Sequence, residues 1–102
     1  MDFSNALYAL KQGKRVQRKG WNGAGLFAFM RPSDELTRTV LVNNVKSLPK
    51  SVKDYYDTPS EKSKETIKFT SYLCIKTIDE DIANGWIPSQ TDLMAEDWVI
   101  LD

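Results

Sequence analysis

Three glycines, Gly20, Gly23 and Gly25, crowd the chain just after the basic run Lys14-Arg15-Val16-Gln17-Arg18-Lys19. Glycine reaches backbone conformations closed to other residues, so a strand entering this stretch has to turn within it. Leu26-Phe27-Ala28-Phe29-Met30 resumes an extended pattern and stops at Pro32, whose nitrogen cannot donate to a ladder. The arrangement predicts two antiparallel strands, residues 15–18 and 26–30, joined by a loop that carries Trp21. Upstream, Phe3, Ala6, Leu7 and Leu10 recur at i, i+3, i+4 and i+7. This is the stripe of an amphipathic helix that Asp2 caps and Gly13 ends.

Farther along, residues 36–45 are rich in Thr and Val and predict a strand, broken by Leu48-Pro49. Residues 51–57 predict one or two helical turns with Val52, Tyr55 and Tyr56 inward. Residues 58–65 are polar and read as an exposed loop inserted in the same domain. Residues 67–78 alternate, with Ile67, Phe69, Ser71, Leu73 and Ile75 on an apolar face, and predict one long strand. Asn84-Gly85 signals a turn. Ser89-Gln90-Thr91-Asp92 resembles a Ser-x-x-acid start for a short helix through Ala95, and Trp98-Val99-Ile100-Leu101 closes the chain as a buried strand. The expected fold is a single α+β domain over residues 1–102: an N-terminal helix on a twisted antiparallel sheet, then a short C-terminal helix and a final strand.

At 102 residues such a domain buries roughly two-thirds of its unfolded surface, enough for one modest core but not for a deep enclosed cavity. A ligand site therefore belongs in a surface groove or between subunits. Formal net charge is zero, which argues against binding a nucleic-acid polymer. The charges are unevenly spread: Lys11, Lys14, Arg15, Arg18, Lys19 and Arg31 face only Asp2 in the first 31 residues, whereas residues 77–102 hold seven acids and no Lys or Arg. The two ends are expected to meet, either within one fold or across a subunit interface. Cys74 sits in an apolar run and is read as core. Without histidine in the chain it lacks the usual base for a thiolate nucleophile. No apolar run approaches the ~20 residues of a membrane span, and a reducing cytoplasm is the expected compartment.

The glycine spacing matches neither the dinucleotide fingerprint nor a P-loop, so one reading is a plain hairpin loop. The other is a phosphate cradle: backbone N–H groups approach an anion, arginine forks onto phosphate oxygens, and an indole offers a face for a base. Arg15 and Arg18 fall on opposite faces of an extended segment, so only one can face a given ligand. Arg18, nearer the loop, is the candidate, with pairing to the acidic C-terminal segment as its alternative. Asp92 and Glu96 share a face if the C-terminal helix continues, which suits acid–base work, a hard cation or plain solvation. No catalytic residue, metal or cofactor is assigned.

These same residues carry a family resemblance. Phe3 with Ala6-Leu7 and Leu10-Lys11, Gly13-Lys14-Arg15-Val16, Arg18-x-Gly20-Trp21-Asn22-Gly23, Pro88-Ser89, Asp92-Leu93 and Ala95-Glu96-Asp97-Trp98 together resemble the Thoeris anti-defence two family of phage and prophage proteins. The resemblance covers both ends, residues 2–31 and 86–100, and leaves residues 35–80 unmatched. It implies a small α+β protein acting as a homotetramer in the cytoplasm of an infected or lysogenic bacterium. Such a protein holds a cyclic ADP-ribose isomer, made by the TIR enzyme of the Thoeris system, between protomers without cleaving it. Some relatives are similar in also holding cyclic oligonucleotides at separate sites. Carried onto this chain, the resemblance implies that Trp21 or Phe27 stacks the base, that Arg18 and the Asn22 and Gly23 amides meet the phosphates, and that Ser89, Gln90, Asp92 or Asp97 reads hydroxyls. Trp98 and Phe3 are expected in the core.

Three functions remain open at this level. The first is a non-enzymatic sponge for such signals. The second is an enzyme cleaving the same nucleotide with Asp92, Glu96 or Asp97 as acid or base. The third is a protein-interaction module with Trp21 as its hot spot.

Overall fold

The computed structural model describes residues 1–21 and 24–101. Its elements in chain order are α1 (Phe3–Lys11), β1 (Val16–Arg18), β2 (Phe27–Arg31), β3 (Asp34–Thr37), α2 (Arg38–Asn44), α3 (Lys50–Asp57), β4 (Thr66–Phe69), β5 (Tyr72–Lys76), β6 (Ile82–Asn84), α4 (Gln90–Met94) and β7 (Trp98–Ile100). A 3-10 turn, Lys19–Trp21, follows β1. The α+β class, the N-terminal helix and the closing strand are as expected. The chain forms two compact units, Met1–Pro32 with Ser71–Asp102, and Ser33–Thr70.

In the first unit five antiparallel strands lie in the order β6-β5-β2-β1-β7. The Asp2 side chain accepts from the Asn5 N–H to start α1, and Gly13 adopts φ +86° just past the helix end. Val16 pairs with both Ala28 and Ile100, and Ala28 pairs with Ile75, so these four share a sheet face. Ala6, Ala9 and Leu10 pack onto that face with Val16, Ala28 and Trp98, and Phe3 and Leu7 flank the cluster. Leu10, wholly buried, contributes about 2 kcal/mol by transfer alone. Cys74 is buried, as its apolar surroundings predict. The strand β6, which the sequence pattern did not suggest, pairs with β5, and the Glu80 and Gly85 backbones at its two ends take positive φ.

The second unit pairs β3 with β4 through Leu36 and Ile67, with α2 and α3 following β3 in the chain and Leu41 and Ile67 buried. Two expectations are corrected here. Residues 36–45 are not one strand: the Thr37 hydroxyl accepts from the Val40 N–H and starts α2, a cap that overrides the β-branched composition. Nor do residues 67–78 form one strand. Phe69 pairs with Asp34 in the two-stranded sheet and Tyr72 pairs with Arg31 in the five-stranded one, so the pattern is divided between β4 and β5. Within α3, Val52 and Tyr56 are half-buried as expected, but Tyr55 points outward at 66 % exposure. Residues 58–65 form the exposed polar loop.

Candidate functional site

The site is built on two local motifs. Ser89 caps α4: its hydroxyl accepts from the Asp92 N–H at 3.1 Å, and its own N–H donates to Asp92 Oδ2 at 3.0 Å. This is the Ser-x-x-acid box expected from sequence, and it fixes the Asp92 carboxylate. The second motif is the turn after β1, where the Gly20 N–H donates to Asp97 Oδ2 at 2.8 Å.

Arg18 ties the two together. Its Nη1 donates to Asp92 Oδ1 and its Nε to Asp97 Oδ1, both at 2.8 Å. Burial alone would push the Asp92 carboxyl up, but the bonds from Arg18 and Ser89 outweigh it and hold the group below the usual carboxylate range. The Arg18 guanidinium holds Asp97 below that range too, aided by the Gly20 amide, and the two carboxylates in turn raise Arg18. The oppositely charged ends thus meet within one chain, and Arg18 takes the alternative role of partner to the acidic segment. Arg15 lies elsewhere, as the two-residue period requires: its guanidinium carbon sits 5.1 Å from the Phe27 ring centre.

Trp21 packs into its own chain. Its ring centre lies 5.3 Å from that of Trp98 and 6.1 Å from that of Trp86, edge-on in both pairs. Trp98 is buried at the centre of this cluster, donates its indole N–H to the Asp92 carbonyl at 3.0 Å, and meets Phe3 at 5.4 Å. Such edge-to-face pairs contribute about 0.5–1.5 kcal/mol each beyond area burial, so the cluster braces the turn against β7.

Beside Arg18 the surface opens into a hollow of about 460 Å³ lined by Arg18, Gln90, Thr91, Met94 and Ala95. The structure therefore gathers Arg18, Trp21, Ser89, Gln90, Asp92 and Asp97 around one end of the sheet. Phe27 is not among them; it alternates with Ala28, which faces α1, and so points to the opposite face beneath Arg15 and Lys76. Asn22 and Gly23 lie outside the described residues. The helical pairing of Asp92 with Glu96 does not form, because α4 stops at Met94 and Ala95 is already extended. Asp97, and not Glu96, joins Asp92 at Arg18. Among the described residues no cluster of three or more His, Cys, Asp or Glu side chains is placed to hold a metal ion.

Sequence reasoning missed Thr91, Met94 and Ala95 as lining residues, and Trp86 as a partner of Trp21. Met94 had a signal, since it stands four residues after Gln90 within the capped helix, whereas Thr91 had none and Ala95 lies past the helix end. Trp86 had none beyond its position after the Asn84-Gly85 turn.

A sequence profile of the Thoeris anti-defense 2-like domain matches residues 1–101. The chain belongs to this family. Thoeris anti-defense 2 of Bacillus phage SP01 is 39 % identical over 101 residues, spanning 99 % of this chain and 94 % of the relative. The Thoeris anti-defense 2-like match runs through residues 35–80, which the resemblance read from sequence left unassigned, and so covers residues of both compact units.

Proposed function

We propose that this protein counters Thoeris defence as a non-catalytic sponge, holding a cyclic ADP-ribose-type signal at the hollow beside Arg18. Family membership over residues 1–101 is the observation that carries the anti-Thoeris role. One feature of the site supports capture over turnover. Asp92 and Asp97 are both held ionised by Arg18, which makes them poor proton donors at neutral pH and weak bases. The hollow is open and shallow, and its lining residue Met94 stands 77 % exposed, with the adjacent α4 residue Leu93 at 44 %. Such a surface is suited to closure by another copy of the chain, in the homotetramer the family resemblance implies. Nanomolar capture requires ~12 kcal/mol, more than one open hollow supplies, and a second chain adds the missing contacts. No helix among the described residues is long and apolar enough to cross a membrane. The protein on this reading works in the cytoplasm, where the signal is made.

The test is recovery. Stoichiometric protein is incubated with a cyclic ADP-ribose isomer, the protein is removed, and the pellet is heated. Intact nucleotide released by heat is the expected result; a cleaved product, or no depletion at all, defeats the proposal. A parallel thermal-shift panel with cyclic oligonucleotides tests whether further signals are held, since a bound ligand raises the melting temperature with its concentration.

A further inference from the structure

The family resemblance implies that Arg18 meets the phosphates of a nucleotide, with pairing to the acidic C-terminal segment as the alternative, and the hydrogen bonds follow the alternative. Two of the three guanidinium nitrogens are bonded at 2.8 Å to different carboxylates, and the Arg18 side chain is only 16 % exposed. One cation between two ionised acids leaves a cluster with net negative charge. A diphosphate brought to Arg18 meets repulsion from Asp92 and Asp97 together. The next charges along the chain, Lys19 and Glu96, are exposed and of opposite sign. What remains in the hollow is neutral. The Gln90 amide and the Thr91 hydroxyl each donate and accept, and Met94 with Ala95 supplies an apolar wall. That set matches a sugar with its hydroxyls or the edge of a base, and the volume is at the low end of ligand pockets, room for one such ring system.

We infer that the hollow receives the uncharged sugar or base portion of the nucleotide and excludes its diphosphate, with Arg18 a positioning residue clamped by Asp92 and Asp97. The inference rests on the capture reading and narrows it: the phosphates are met by groups outside this hollow. Arg18 fixes the distance between the α4 cap and the Gly20 turn, and through them the placement of Gln90 and Thr91.

The test uses the full chain labelled with ¹⁵N, following the backbone amides of Gln90 and Thr91 and the Arg18 Nε–H. Adenosine and pyrophosphate are titrated separately at matched ionic strength. The expected result is that adenosine shifts Gln90 and Thr91 at concentrations at least tenfold below those at which pyrophosphate does. Asp97→Asn removes one of the two negative charges and is expected to increase the response of Arg18 to pyrophosphate at least threefold. Asp92→Asn repeats this arm from the other carboxylate, should Asp97→Asn fail to fold. The inference is overturned if pyrophosphate moves these signals in the unsubstituted protein as readily as adenosine does, if neither compound moves them, or if the folded Asn variants respond to pyrophosphate no more than the parent. The two levels separate cleanly. Adenosine shifts without depletion of cyclic ADP-ribose remove the sponge and keep the assignment of the hollow; depletion with pyrophosphate-led shifts does the reverse.

Discussion

The carboxylate of Asp97 stands where a side chain on residue 20 would begin: a Cβ built on Gly20 falls 2.8 Å from Asp97 Oδ2, the atom that accepts the Gly20 N–H. Gly20 does not take a positive φ, so its requirement is closeness and not backbone freedom.

Gly20→Ala is accordingly expected to displace Asp97, loosen Arg18 and destabilise the fold by about 1–3 kcal/mol. Urea denaturation measures this. In the background of Asp97→Ala the same Gly20→Ala change is expected to cost much less, because the obstructing oxygen is gone. Additive effects of the two substitutions would rule out the clash as the cause.

Acid stability follows from the same network. Asp92 and Asp97 have folded-state pKa values below their unfolded ones, so between those values the unfolded chain binds more protons. Their contribution is complete above the ordinary Asp pKa of about 3.9 and is lost as pH falls through the folded values. The urea midpoint should be nearly level from neutral pH down to about 5 and fall steeply below about 4. With Arg18→Gln the partner that lowers both acids is removed, and burial, already the largest single influence on Asp92, loses its main opponent. The acid-side fall attributable to this pair should then flatten. An unchanged profile would mean the ion pairs do not set it.

How much of this was legible in the sequence depends on distance along the chain. The Asp2 cap, the α1 stripe and the Ser89–Asp92 box are formed by residues three or four apart, and each could be read directly. The opposite placement of Arg15 and Arg18 followed from strand periodicity. The partners of Arg18 lie 74 and 79 residues away, and charge patterning could say only that the ends attract. Trp21 looked like an aromatic awaiting a ligand because nothing local reveals that Trp86 and Trp98 come to meet it. In residues 36–45 composition favoured a strand and one hydroxyl at Thr37 decided otherwise.

The tryptophan cluster separates a bracing role for Trp21 from a purely ligand-stacking one. Trp21→Ala removes a half-buried ring with two edge-on partners and is expected to destabilise the protein by about 3 kcal/mol, the lower end for large aromatic truncations. Trp21→Phe keeps an aromatic edge against Trp98 and should recover more than half of that. A Trp21→Ala variant with unaltered stability would show that the ring does not brace the turn.

Met94 offers the complementary case, a residue at the hollow with almost no part in the fold. It is 77 % exposed on α4 and packs into no buried cluster of the described residues, so Met94→Lys should change urea stability of the protomer by no more than about 0.5 kcal/mol. The substitution does, however, place a hydrated ammonium on the lining of the hollow. A site closed by a second copy would have to desolvate that charge at the junction. Capture of cyclic ADP-ribose is therefore expected to fall at least tenfold, with a shift toward smaller species in size-exclusion chromatography coupled to light scattering. Loss of capture with the assembly intact would locate Met94 at the ligand and not at the junction. Full capture with the assembly intact would mean that α4 faces solvent in the working protein, and the hollow beside Arg18 would no longer be its binding site.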